Sequence, residues 1–427
     1  MSYASKIKEK KLKAGGKLLL SKFPAHGRIS IAGSVRGGIR LAGNRALAEA
    51  HASMLLEGTA KKSKTDIQIL LDQLGASLSF SAEKDRLVFQ GHVRATYGKK
   101  LLSLIAEVLR TPTFPARELA NLKDRMRAEF SLESQETRTQ AGINLSHLLY
   151  ASEHPNYQAS TETSQAALEK ITKKDLEKYH DRAIDARTLV VSIAGDFKEQ
   201  ELIRLVDASF SKLPTADLKI PPFSPSAERK PRKISVHIED KSSVDYMLGL
   251  STGITKDSPD YPALVLGLQI LGNRSGFTGR LMRTVREIEG LTYGVYAYPA
   301  GFQNADGFIV VWATFAPELL AKGKAALLRE IQKIVEEGTD AEEVRKHREM
   351  FEARSRVTLA NSGDLARATH DIAAEGRRLS YLDEFPQTIL RLSKKDVDDA
   401  LKKYLVVANL SESAAGPVPE STTAPQV

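Results

Sequence analysis

Residues 171–179, Ile-Thr-Lys-Lys-Asp-Leu-Glu-Lys-Tyr, return at 392–400 as Leu-Ser-Lys-Lys-Asp-Val-Asp-Asp-Ala. In each copy a hydroxyl, Thr172 or Ser393, stands three residues before an aspartate, Asp175 or Asp396. That spacing lets a side-chain oxygen cap the first free N–H groups of a helix while the acid reaches back to the cap. The two aspartates lie 221 residues apart. A second landmark repeats at nearly the same offset: Leu74-Gly75 and Glu289-Gly290, with the glycines 215 apart. Each glycine ends a helical pattern and precedes two strand-like runs, ASLSFS and RLVFQGHV in the first half, LTYGVYAY and GFIVVWATF in the second. Upstream, alternating apolar runs predict strands at Lys17–Phe23 and Arg28–Val35, matched by Lys233–Glu239 and Val244–Ser251.

Two landmarks at matching offsets predict a duplicated α+β domain, each copy an antiparallel sheet packed with helices. The break between copies is Leu213 to Lys233, LPTADLKIPPFSPSAERKPRK, where five prolines remove helical periodicity. The expected organisation is a first domain at 1–212, a linker at 213–233 and a second domain at 234–410. The remainder, 411–427, SESAAGPVPESTTAPQV, is poor in core-forming residues and reads as a disordered tail.

Composition narrows the function classes. The 427 residues contain no cysteine, which removes disulfides, thiolate metal sites and thiol nucleophiles together. The net charge of +9 comes from basic residues interleaved with 53 acidic ones, without a recognition helix or zinc finger, so nucleic acid is not an expected partner. No apolar run approaches the roughly 20 residues of a spanning helix, so no membrane role is expected. The N-terminus, MSYASKIKEKKLKAGGK, lacks the apolar core of a secretory signal. The expectation is a cytoplasmic protein, or a periplasmic one if a leader was removed.

The stretch Leu47-Ala-Glu-Ala-His-Ala-Ser-Met-Leu-Leu-Glu-Gly-Thr59 resembles the zinc helix of the pitrilysin and mitochondrial-processing-peptidase family, in which HxxEH precedes a Met-Leu-x-x-Gly-Thr run. In that motif, histidines four apart share a zinc ion on one helix face and the glutamate acts as base. The resemblance puts Glu49 and Ser53 at the histidine positions and Ala52 at the glutamate. A methyl group is no base and a neutral serine is a poor zinc ligand, so no metal or other cofactor is expected in this chain. A separate reading is a self-sufficient peptidase with Glu49, His51 and Glu129 as unorthodox ligands; geometry weighs against it, because residues two apart on a helix point about 200° apart.

The second half contains Leu271-Gly-Asn-Arg-Ser-Gly-Phe-Thr-Gly-Arg-Leu-Met-Arg-Thr-Val-Arg286, followed by Glu-Ile-Glu-Gly-Leu-Thr-Tyr293. This resembles the family's C-terminal block, whose Arg and Tyr hold the substrate backbone and steady the developing oxyanion. By itself the spacing favours an ordinary helix-end arginine and strand tyrosine. The resemblance implies a catalytic role for Arg286 and Tyr293, acting in trans at a partner's zinc site. It further implies peptide contacts at Gly272, Gly276 and Gly279, and at the first-half edge strand through Ser79 and Phe80. The expected partner is a homologous HxxEH-containing subunit carrying the zinc, with an extended peptide as substrate. The alternative is a catalytically silent scaffold subunit of a larger complex.

Overall fold

The computed structural model describes residues 2–216, 230–273, 278–303, 305–419 and the backbone of 421–422. It divides into two compact units. The first comprises Met1–Phe130, Glu162–Pro221 and Arg354–Glu384; the second comprises Ser131–Thr161, Pro222–Ala353 and Phe385–Val427.

The first unit is built on six strands: β1 Ile7–Lys11, β2 Lys17–Lys22, β3 Arg28–Arg36, β4 Ser77–Ala82, β5 Arg86–Arg94 and β6 Val190–Gly195. They lie in the order β1-β2-β6-β3-β5-β4. The second unit has β7 Lys233–His237, β8 Val244–Ser251, β9 Val295–Ala300, β10 Phe308–Phe315, β11 Ser411–Gly416 and β12 Ser421–Thr422. Their order is β12-β7-β11-β8-β10-β9, the same arrangement with β12 in the place of β1. The repeated landmarks therefore mark a duplicated α+β fold. Each sheet is antiparallel except for one parallel pair, β2 with β6 and β7 with β11.

The central strands are buried on both faces, which explains runs such as VDYMLGLS that carry little alternation. In the first unit one face of the sheet holds the main core, where Leu18, Leu20, Phe89 and Val191 meet Leu101, Ile105 and Phe210. The opposite face of β3 and β6 is covered by the helix Ser362–Ala374. Ala32 and Ala194 let this helix approach Leu365 and Ala366 closely. In the second unit the helix Thr137–Leu149 covers β8 and β11 in the same way, and Leu145 fills the space above Gly249, where a Cβ would sit 2.9 Å from its methyl.

These two helices correct the expected boundaries. Each covering helix is encoded in the other half of the sequence, so neither 1–212 nor 234–410 is a unit by itself. The hydrogen-bonding partners explain why. Thr137 Oγ1 donates to Asp245 Oδ2 at 2.5 Å, and Trp312 Nε1 donates to Asp245 Oδ1 at 2.5 Å, so a buried carboxylate ties the helix to its sheet. Arg138 lies 3.9 Å above the Trp312 ring.

The tail is the second correction. Ser411–Gly416 is not disordered: it is strand β11, hydrogen-bonded to β7 on one side and to β8 on the other. Its side chains are small because a helix crosses it, and Ser413, Ala414 and Ala415 are all buried. Backbone pairing on both edges supplies the stability that bulky side chains supply elsewhere. At the expected linker, Leu213 and Ala216 are packed into the first unit and Pro214 accepts a hydrogen bond from Ala186, while Lys233 already begins β7. Residues 217–229 lie outside the described residues. No described helix is long and apolar enough to cross a membrane.

Candidate functional site

The zinc-motif segment is a helix, Arg45–Met54, whose start is capped by Asn44 accepting the Leu47 N–H at 2.7 Å. Its alanines at 46, 48, 50 and 52 are buried and bring the helix against its neighbours. Arg45, Glu49 and Ser53 share the opposite, more open face at four-residue spacing. There Arg45 Nε donates to Glu49 Oε1 at 2.8 Å, so the carboxylate at the first histidine position is held by a guanidinium. Ser53 is exposed and Ala52 is buried. Such a donor set does not fit zinc. Among the described residues no group of three or more His, Asp or Glu is arranged to hold a metal ion.

His51 points away from that face into the core. It is fully buried, with Nε2 3.0 Å from Nδ1 of His180 on the helix Lys173–Ala183. Tyr179 meets the His51 ring edge-on at 4.8 Å, and Phe114 lies 5.6 Å away. Burial pushes both imidazoles toward the neutral form. His51 falls well below the usual histidine range, first by desolvation and then by His180, and His180 is lowered to about 4 by desolvation. The helix thus keeps a histidine, but as one half of a buried neutral pair. Glu129, on the helix Ala116–Ser134, is exposed to solvent.

Beside this helix runs β4, an edge strand that among the described residues pairs with β5 alone. Ser79 faces solvent, whereas Phe80 turns inward and packs 5.8 Å from the Phe89 ring. Phe80 is therefore a core contact, and what β4 offers outward is main chain and serine hydroxyls.

In the second unit the buried helix Tyr261–Gly272 leads into Asn273, which bridges to Ala297 of β9. A Cβ on Gly272 would lie 2.6 Å from the Ala297 nitrogen, and one on Gly279 would lie 2.9 Å from the Asn273 nitrogen. Both glycines are required by the chain's own close approach, and the space they leave is filled by protein. Gly276 lies outside the described residues.

After this loop the chain forms a wide helical turn, Met282–Ile288. Leu281, Met282 and Val285 anchor it in the core. Upstream, Arg280 forms a forked pair with Glu343 at 3.0 and 2.7 Å. Arg286 projects from the turn with its guanidinium carbon 4.9 Å from the Tyr293 ring centre, and its Nη1 is 3.5 Å from Met282 Sδ. Tyr293 is 83% exposed. Thr292 steadies the strand entry, accepting from the Gly294 N–H at 3.1 Å and donating to the Thr314 carbonyl. The structure thus brings Arg286 and Tyr293 together as a stacked pair, the guanidinium half-buried and the tyrosine exposed, both carrying hydrogen-bond donors.

One constellation had no sequence signal. Ser34 Oγ lies 2.8 Å from His370 Nε2, and His370 Nδ1 lies 2.8 Å from Asp371 Oδ1. The order resembles a nucleophile triad. Ser34, however, is fully buried in β3 and accepts a 2.7 Å bond from Arg86, whose other nitrogen caps the Ala374 carbonyl. The group docks the Ser362–Ala374 helix. Its members are 336 residues apart in sequence, beyond any local pattern.

Two family models match the chain: "Insulinase (Peptidase family M16)" over residues 44–173 and "Peptidase M16 inactive domain" over residues 170–351. The chain belongs to the M16 peptidase family. Together with Ala52 and Ser53 in the signature helix, this makes it an inactive, pitrilysin-like M16 homologue. It is 22% identical to "Non-peptidase homolog YmxG" of Helicobacter pylori, over 86% of this chain and 83% of that protein. It is also 22% identical to a probable mitochondrial-processing peptidase subunit beta of Arabidopsis thaliana, over 86% of this chain and 69% of that one. Among solved structures, a peptidase M16 inactive domain from Pseudomonas fluorescens superposes with a TM-score of 0.86 at 27% identity, covering 97% of this chain and 99% of that chain.

Proposed function

We propose that this M16 chain is the non-zinc subunit of a heterodimeric zinc endopeptidase, binding an extended peptide and lending Arg286 and Tyr293 to the zinc site of a homologous HxxEH subunit. The observation that supports this is an asymmetry between the units. The first-unit helix has its metal face closed by the Arg45–Glu49 ion pair, while the second unit presents a half-buried Arg286 stacked on an exposed Tyr293.

In such a complex the partner's zinc would supply the activated water. Arg286 holds a permanent charge with several donors and Tyr293 a hydroxyl, so both can donate to a substrate carbonyl oxygen as negative charge develops there. Removing one such donor costs about 10²–10³ in turnover in enzymes that rely on them. The open main chain of β4 gives an extended peptide a strand to pair with.

The test is reconstitution with the homologous HxxEH chain, followed by peptide cleavage by each subunit alone and by the pair. Arg286→Ala and Tyr293→Phe should lower turnover of the pair while its zinc content stays constant. Wild-type rates in both variants refute the catalytic role. A stable complex with no peptidase activity and no zinc-bearing homologue identifies a scaffold instead.

A further inference from the structure

The duplication supplies an internal control for the Arg286–Tyr293 pair. Gly75 and Gly290 are the same landmark in the two halves, and both adopt the left-handed conformation, with φ of 55° and 62°. The sheet registers match Leu78, opposite Gly91, with Val295, opposite Ala313, and both are buried, so the second half carries two more residues between glycine and matching strand position, Tyr293 lying in that stretch. Tyr293 is 83% exposed. The backbones differ as well. In the first half the Ala76 N–H closes the helix end on the Leu71 carbonyl, five residues back, at 3.0 Å. In the second, the Leu291 N–H reaches the Val285 carbonyl, six residues back, at 2.9 Å, and Glu289 bonds Thr284, five back, at 3.0 Å.

The second-half turn therefore holds one residue more than its copy. Wide turns of this kind take roughly one residue more per revolution than the 3.6 of an α-helix, and they swing the side chains they carry. Here the turn also ties the Arg286 carbonyl to the Gly290 N–H at 3.1 Å. Reversal of the chain at Gly290 then returns Tyr293 beneath the guanidinium. We infer that the extra residue in the Met282–Ile288 turn, together with the left-handed Gly290, is a positioning device that assembles the Arg286–Tyr293 stack. Its value to catalysis rests on the function proposed above; the stack itself does not.

The stack has a direct signature in the free chain. A guanidinium over an aromatic face shifts the Arg286 Nε–H proton resonance upfield by ring current, and Tyr293→Leu abolishes that shift and so identifies it. Deleting Glu287, whose side chain is exposed, returns the closure to five residues and should erase the shift while the rest of the spectrum is kept. At Gly290 an added Cβ meets nothing within 4 Å, so only backbone conformation is at stake. Gly290→Val, which disfavours positive φ, should lose the shift, and Gly290→Asn, which tolerates it, should keep it. Should Gly290→Val fail to fold, Gly290→Ala repeats the test with the smallest side chain.

Retention of the shift after deletion of Glu287 or in Gly290→Val overturns the inference, as does its loss in Gly290→Asn or its absence from the wild type. If the shift disappears but turnover of the reconstituted pair is unchanged, the positioning role stands and the catalytic proposal falls.

Discussion

Acidification should loosen the first unit through the His51–His180 pair before most carboxylates titrate. His180 is held at about 4 by burial, against 6.5 for an ordinary histidine. Between these values the unfolded chain binds a proton that the folded chain refuses, so stability is lost as pH falls below 6.5, and the loss is complete near pH 4. At pH 5 an unfolded imidazole is almost wholly protonated while His180 is about one-tenth protonated. That difference costs about 2 kcal/mol relative to pH 7.5. His51 is displaced in the same direction by desolvation and by its neighbour, so it adds to the loss.

The assay is amide hydrogen exchange of the helices Arg45–Met54 and Lys173–Ala183 at pH 7.5 and 5, corrected for intrinsic rates, with histidine ring resonances followed in parallel. The double variant His51→Leu/His180→Leu removes both titrating groups. Wild type should lose at least about 2 kcal/mol of local protection that the double variant keeps. A His180 midpoint near 6.5, or equal losses in both proteins, refutes the reasoning.

Truncation after Leu410 removes β11 from the middle of its sheet, so the second unit should lose cooperative unfolding and become protease-sensitive. Asp245→Ala strands the Trp312 and Thr137 donors and should destabilise the second unit by about 2–4 kcal/mol, read from urea unfolding of the single tryptophan. Gly33→Ala would place a Cβ 2.2 Å from the Phe89 ring and should destabilise the first unit by about 2 kcal/mol or more, measured by its exchange protection.

Much of this architecture was legible because it rests on local chemistry. The caps at Thr172 and Ser393 and the helix-ending glycines at 75 and 290 are set within a few residues of chain, and all four form as the sequence predicts. The degenerate zinc helix was legible for the same reason, since its missing groups are read residue by residue. What escaped was non-local. No pattern in Thr137–Leu149 says that its first threonine will answer Asp245, 108 residues away. Ser411–Gly416 escaped because strand propensity is judged by bulk, while this strand is stabilised by backbone pairing and must be thin where a helix crosses it. Gly272 and Gly279 were read as room for a substrate; the structure fills that room with Ala297 and Asn273. Phe80 misled in the opposite sense, since an aromatic on an edge strand is as well placed for its own core as for a ligand.

The most direct measurement is zinc content and peptide hydrolysis side by side, for the purified chain alone and for its complex with a homologous HxxEH subunit. The chain alone should be inert and substoichiometric in zinc. The complex should cleave peptide and lose about 10²-fold in turnover or more on Arg286→Ala, with its zinc unchanged. One zinc per chain in the isolated protein, with hydrolysis abolished by a chelator, would contradict the account.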